Sequence, residues 1–164
     1  MDVILGGVLA IIASLVGQAV AHRFTRRNAA AANQWAREEK LRQERVAAYS
    51  EFAGALTTYR RAMLDRAFAR VKDPHDPGVE EHRRLSHRSR DTALQSLYLV
   101  ELLADRQEVI EAAQAAYHSM EKFLDVQDRD EAESIRTFTR TTIRSFVGTA
   151  RTTSDLGPPA STPS

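Results

Sequence analysis

Residues 46–71 read VAAYSEFAGALTTYRRAMLDRAFARV and form an amphipathic segment. Apolar side chains recur in it at intervals of three and four residues, which places them on one face of an α-helix. A single helix cannot bury such a face by itself, so the pattern predicts further helices packed against this one. The recurring residues are Tyr49, Phe52, Leu56, Tyr59, Met63, Ala67 and Val71.

Three more helices are predicted after a proline-containing loop. The first would occupy residues 79–104, with a polar start and an apolar end. The second would begin at Asp105, which has the spacing of a capping box with Glu108. The third would be capped by Asp128 or Asp130. Its buried face would consist of Ile135, Phe138, Ile143, Phe146, Val147 and Ala150, and Thr137, Thr139, Thr141 and Thr142 would be exposed.

No segment alternates convincingly between apolar and polar residues with a period of two, and no Asn-Gly or Asp-Gly hairpin turn occurs. The sequence therefore predicts an all-α protein. Residues 46–151 would form an antiparallel three- to four-helix bundle. Residues 152–164, which are rich in Pro, Ser and Thr, would form a disordered tail.

The N-terminal segment has the length and composition of a membrane span. Residues 3–21 contain no charged side chain, and a helix of that length reaches about 28 Å, close to the thickness of the hydrocarbon core. We predict a single transmembrane helix over residues 2–21. A basic juxtamembrane and stalk helix over residues 22–45 would continue from it into the bundle.

Charges on the two flanks of the apolar segment predict its orientation. Arg23, Arg26 and Arg27 follow the segment at the membrane edge, and no Lys or Arg precedes it. The positive-inside rule then places the bundle on the cytoplasmic side of the cell membrane. Residues 19–21, Ala-Val-Ala, also fit the cleavage site of a signal peptide, but the missing basic residues before the apolar run favour an uncleaved anchor.

Small residues recur every four positions within the predicted span, at Gly6, Ala10 and Ser14. This spacing lets two membrane helices approach closely, so it is compatible with a homo-oligomer. The alternative is that these residues reflect only the frequency of Gly and Ala in membrane helices.

The sequence contains no recognisable set of catalytic or metal-binding residues. Cysteine is absent, and the five histidines do not form a His-x-x-x-His or Glu-x-x-His motif. There is also no glycine-rich phosphate loop and no nucleophile elbow. We predict that the protein is not an enzyme and has no cofactor, no metal and no small-molecule substrate.

The charge composition is balanced, with 23 Lys and Arg against 22 Asp and Glu, so no global excess favours nucleic acid. Residues 82–90 form the most basic segment outside the membrane edge, and could contact phosphates or anionic lipid. The alternative is a solvated helix face neutralised by Glu80, Glu81 and Asp91. The contacts would come from Arg83, Arg84, Arg88 and Arg90.

Residues 42–53, RQERVAAYSEFA, with residues 59–62, YRRA, resemble a family of small single-pass membrane proteins from streptomycetes and other actinobacteria. The apolar N-terminus and residues 102–105, LLAD, add to the likeness. These proteins are labelled KilB-like, after a plasmid protein linked to intermycelial spread of conjugative plasmids. The resemblance implies a membrane-associated accessory role in plasmid transfer and supplies no catalytic residues.

Two hypotheses for function follow. In the first, the chain is a membrane-anchored helical interaction or scaffold protein that binds a protein partner or a second copy of itself. The plasmid-transfer role is what the resemblance adds to it. In the second, the bundle is a helical domain at the membrane surface that binds nucleic acid or anionic lipid.

Overall fold

The computed structural model describes the backbone of residues 2–75 and 77–154, and the side chains of residues 32–75 and 77–153. Throughout these residues the regular structure is helical, and no strand occurs among them. The prediction of an all-α protein is confirmed. The elements are α1 (Asp2–Lys72), α2 (Gly78–Leu103), α3 (Gln107–His118), a 3₁₀ helix (Ser119–Leu124) and α4 (Arg129–Ser154).

The chain divides into two compact units, and the division falls inside α1 between Leu41 and Arg42. The first unit contains the N-terminal part of α1. The second unit contains the remainder of α1 together with α2, α3 and α4, and it holds the hydrophobic core. The domain boundaries predicted from the sequence stay predictions.

The predicted transmembrane helix lies outside the residues whose side chains the structure describes. The same holds for Gly6, Ala10 and Ser14 and for the basic residues that follow the apolar segment. Within the part of the chain that is described, no helix has the length and apolar character needed to cross a membrane. The anchor, its orientation and its packing residues stay predictions. The predicted tail falls almost entirely beyond Ser154, outside the described residues as well.

Contacts at the two ends of the bundle show that neighbouring helices alternate in direction. At one end, Arg45 of α1 donates a hydrogen bond to the carbonyl oxygen of Leu103, the last residue of α2. At the other end, Arg70 of α1 donates to the carbonyl oxygens of Leu124 and Val126, in the connection between α3 and α4. The second unit is therefore an antiparallel bundle, in which α1 and α3 run one way and α2 and α4 the other.

The core contains the apolar face predicted for α1. The ring of Phe52 meets that of Phe146 edge to face, with centroids 5.1 Å apart, and Tyr49 meets Phe146 in the same way at 6.2 Å. Such aromatic pairs contribute about 1 kcal/mol beyond the burial of their surface. Tyr59 contacts Tyr117 of α3, with centroids 6.1 Å apart. The largest fully buried apolar side chains are Phe52, Leu56, Val100, Val109, Met120, Phe123 and Phe146.

The buried face of α4 differs from the predicted one at three positions. Thr139 is fully buried, although the sequence predicts it as exposed, while Phe138 and Val147 are each 45 % exposed and were predicted as buried. Thr139 tolerates burial because its hydroxyl donates to the carbonyl oxygen of Ile135 at 2.9 Å. Phe138 lies at the surface beneath the Lys122 ammonium, which is 5.1 Å from the ring centroid.

The helix start predicted at Asp105 is wrong, and the start predicted at Asp128 is confirmed. Arg106 occupies the N-cap position of α3, and its side chain makes no capping hydrogen bond. Asp105 instead forms an ion pair with Arg45 at 2.8 Å, which is a charge-assisted bond that replaces the weaker cap. At the start of α4, the carboxylate of Asp128 accepts the backbone N–H of Glu131 at 2.8 Å.

Candidate interaction surfaces

An apolar groove lies between α1 and α4 on the surface of the bundle. Its volume is about 450 Å³, which is within the range of sites that accept a small ligand or several side chains. Most of its lining is apolar. The residues that line it are Arg42, Val46, Tyr49, Ser50, Ala53, Phe146, Val147, Ala150 and Arg151.

The groove combines exposed apolar side chains with nearby positive charge. Val46 of α1 is 42 % exposed and Val147 of α4 is 45 % exposed, so both retain apolar surface for a partner to cover. Single exposed apolar residues are ordinary, but these two line the same concavity above the buried ring of Phe146. Arg42 and Arg151 belong to the same lining. The groove therefore has a mainly apolar lining that also includes two guanidinium groups.

Tyr49 supplies a neutral hydroxyl-bearing ring to the groove. Burial raises the pKa of the Tyr49 phenol above its usual value, and the carboxylate of Asp105 acts in the same direction, while Arg45 opposes both. The ring packs against Phe146. Tyr49 is therefore uncharged at physiological pH, and the floor of the groove adds no negative charge of its own.

A second apolar surface lies on α2 and is called the α2 ridge here. It consists of Tyr98, Leu99 and Leu102, all exposed, with Leu102 the most exposed of the three at 80 %. The ridge is on the side of α2 away from the core residues Leu97 and Val100. The exposure of these three side chains shows that none of the described residues covers them fully.

The four arginines predicted on α2 do not converge on one point. Arg83 and Arg84 each lie within 4 Å of Glu80, at 3.5 and 3.8 Å, and exposed pairs of this kind contribute roughly 0–1 kcal/mol. Arg88 is exposed. Arg90 lies by Tyr117, and this contact raises the pKa of its guanidinium. The predicted contact of these arginines with phosphate or lipid stays a prediction. The alternative, a solvated helix face partly neutralised by neighbouring carboxylates, also stays open.

A group of arginines on α4 was not singled out from the sequence. Arg136, Arg140 and Arg144 are exposed, and steps of four residues place them about 40° apart around the helix, on one side of it. We call them the arginine stripe. No Asp or Glu follows Glu133 in α4. Arg136 pairs with Glu133 at 3.0 Å, whereas Arg140 and Arg144 have no ion pair within the described part of the chain.

Arg60 of α1 lies beside this stripe. Burial lowers the pKa of its guanidinium, and the positive charges of Arg136 and Arg140 lower the pKa further. Its Nε atom is buried and has no hydrogen-bond partner among the described residues. The four-residue spacing of the stripe is visible in the sequence, but the proximity of Arg60 emerges only when α1 and α4 pack together.

The described residues include no group of three or more His, Cys, Asp or Glu side chains that could hold a metal ion. His118 lies on the surface, with its Nδ1 atom 3.4 Å from a carboxylate oxygen of Glu121. The sequence-based expectations of no enzymatic activity and no cofactor stay predictions.

Comparison with known proteins identifies a family. The model of the family described as KilB plasmid transfer protein matches residues 46–154, which comprise the bundle from Val46 to the end of α4. No curated protein and no solved structure matches the chain.

Proposed function

Because the chain belongs to the KilB plasmid transfer protein family, as its sequence resemblance predicted, we propose that it is a membrane-anchored, non-enzymatic interaction protein that assists plasmid transfer or spread. Membership in this family supports a role in plasmid transfer. The apolar, uncharged residues 3–21 support the anchor, since their length suits a membrane span. The bundle would then provide the binding surface, held close to the membrane.

The groove between α1 and α4 is the observation that carries this proposal. We assign it to an amphipathic helix of a protein partner, because apolar grooves of this kind bind a row of apolar anchors spaced at three and four residues. Val46 and Val147 would contact those anchors. Arg42 and Arg151 favour a partner helix that carries carboxylates beside its apolar face.

Membrane attachment would allow a groove of this modest size to bind a protein partner. A groove of about 450 Å³ covers only a few side chains, so the contact belongs with weak and transient interfaces. Two proteins confined to the same membrane have a raised effective concentration for each other, which increases the bound fraction without any added contact. Binding through the groove would therefore depend on the predicted anchor.

The experiment compares plasmid transfer between mycelia that carry Val46→Asp, Leu99→Asp or the wild-type chain. Val46 lines the groove and Leu99 lies on the α2 ridge, and each is 42 % exposed, so the two substitutions place the same charge at equal exposure. We expect Val46→Asp to lower transfer at least about tenfold, equivalent to a binding loss of about 1.4 kcal/mol. Leu99→Asp should leave transfer unchanged at equal protein levels.

Equal effects of the two substitutions, or no effect of either, would contradict a partner in the groove. A second copy of the chain is the other candidate occupant. It would be identified by crosslinks between two copies through Val147, and would replace the assignment to a different protein.

A further inference from the structure

We propose that Arg60 and the arginine stripe, Arg136, Arg140 and Arg144, form a binding site for the phosphate backbone of double-stranded DNA. This site is distinct from the groove, and its argument does not depend on the proposed partner helix. It rests on three features of the bundle: uncompensated positive charge, an unpaired buried donor, and a polar surface beside the stripe.

The positive charge of the site is largely uncompensated. Of the three stripe residues, only Arg136 has a carboxylate partner among the described residues, Glu133 at 3.0 Å. No acidic side chain follows Glu133 in α4. Arg60 adds a further guanidinium from α1, close enough to Arg136 and Arg140 for like-charge repulsion to act on it. These positive charges repel one another, and a bound anion would relieve the repulsion.

Arg60 also holds a hydrogen-bonding capacity that the protein does not use. Its Nε atom is buried without a partner among the described residues, and the side chain as a whole is only partly buried. A guanidinium carries five N–H donors, which match the oxygens of a phosphate in pairs. Because Nε itself is buried, an anion that arrives from the outside would have to bind the terminal Nη groups of Arg60.

The shape of the site favours a polymer of phosphates. Residues four apart on a helix are separated by about 6 Å along its axis, so the stripe is a row of charges about 12 Å long. A single small anion would contact one end of such a row. The DNA backbone presents phosphates in a continuous series, and neutralising several of them at once provides most of the affinity in sequence-independent binding.

The surroundings of the stripe favour DNA over a lipid surface. Helices that lie on membranes present large apolar side chains to the acyl chains next to their basic residues. On α4 the exposed positions that continue outward from the stripe are Thr137, Thr141 and Ser145. The outward side of the stripe is therefore polar and suits a hydrated phosphate backbone. Exposed apolar surface on the stripe's own side comes from Val147, three residues after Arg144.

Three of the four arginines of α2 offer a control of equal charge. Arg83 and Arg84 have Glu80 and Glu81 beside them, so their field is partly cancelled. Replacing Arg83, Arg84 and Arg88 with Gln removes three positive charges, as does replacing the stripe with Gln. Glutamine keeps a good helix propensity, so both variants should retain their helices. The two variants therefore differ only in where the charge is lost.

The experiment measures binding of the full-length chain, in a neutral detergent, to a mixed-sequence DNA duplex at a series of salt concentrations. For the variant R136Q/R140Q/R144Q we expect binding at least about tenfold weaker at low salt. The slope of log K against log salt should fall by about two to three, since each phosphate contact contributes about 0.9. For R83Q/R84Q/R88Q we expect the affinity and slope of the wild-type chain. Circular dichroism confirms that both variants fold.

Four results would overturn the proposal. Equal losses in the two variants would show that only net charge matters. Wild-type binding by the stripe variant, or no DNA binding by the wild-type chain, would exclude the site. A saturable response to short-chain phosphatidylglycerol that disappears in the stripe variant, with no change in DNA binding, would assign the stripe to lipid. Val46→Asp tests the groove separately, because it should leave the salt slope unchanged.

Discussion

Arg45 and Asp105 are 60 residues apart in sequence but form an ion pair: the Nη1 atom of Arg45 lies 2.8 Å from Oδ2 of Asp105. The same guanidinium donates from Nε to the carbonyl oxygen of Leu103 at 2.7 Å. One side chain of α1 therefore holds the end of α2 and the residue that follows it. This contact lies at the same end of the bundle as the groove between α1 and α4.

Removing the two partners should have unequal effects on stability. We expect Asp105→Ala to cost about 0.5 kcal/mol, because the pair is partly exposed. Arg45→Ala should cost about 1–2 kcal/mol, since it also leaves the carbonyl of Leu103 without its donor. Urea unfolding of both single variants and the double variant measures their coupling energy. A coupling energy of zero would contradict the ion pair.

Arg60 should reduce the stability of the bundle. Replacing it with Met keeps most of the side-chain length while removing a buried unpaired donor and a repelled charge. We expect Arg60→Met to raise the free energy of unfolding by about 1 kcal/mol. Arg61 is exposed, so Arg61→Met is the matched control and should change stability by less than about 0.5 kcal/mol. A loss of stability in Arg60→Met would show that Arg60 makes a favourable contact in the folded chain.

Tyr59 should make stability fall at alkaline pH. Burial, with a smaller effect of the neighbouring Tyr117, raises the pKa of Tyr59 from 10.0 to about 12. Above pH 10 the unfolded chain releases this proton while the folded chain retains it, so unfolding is favoured as pH rises towards 12. Between pH 9 and pH 11, the free energy of unfolding should fall by about 1 kcal/mol more for the wild-type chain than for Tyr59→Phe. Between pH 6 and pH 8, the two should change in parallel in urea titrations.

Thr139 should behave as a core residue. Its hydroxyl donates only to carbonyl oxygens of its own helix, those of Ile135 and Arg136, so Thr139→Val should change stability by less than about 1 kcal/mol. Thr139→Glu should cost about 3 kcal/mol or more, because it buries a charge. Thr141→Glu is the exposed control and should be tolerated. Equal tolerance of Glu at both positions, measured by thermal unfolding, would place Thr139 at the surface.

The central part of the fold follows from the sequence because its signal is strong. Large apolar residues at three- and four-residue steps leave one way to orient α1, and Tyr49, Phe52, Leu56, Tyr59 and Met63 are all buried as predicted. Apolar character and helical spacing are properties of one segment. A prediction that depends on only one segment can be made before the other helices are placed.

Features that depend on two helices could not be predicted in this way. Asp105 has the sequence of a cap, but the distant Arg45 competes for its carboxylate. Thr139 is a different case, because it stands four residues from both Ile135 and Ile143, so its burial follows from the spacing within α4 alone. Arg60 joins the arginine stripe only through the packing of α1 against α4. The groove arises from the same packing, so no local sequence motif predicts either surface.

Occupancy of the groove during transfer can be measured directly, because the chain contains no cysteine. Val147→Cys and Leu99→Cys each introduce one thiol, in the groove and on the α2 ridge, and a membrane-permeable maleimide can label either in living cells. We predict that the other transfer functions of the plasmid slow labelling of Val147→Cys by at least about tenfold, the change expected for a site occupied nine-tenths of the time. Leu99→Cys should label at the same rate with and without them. Equal labelling of Val147→Cys in both conditions would contradict a groove that binds a partner.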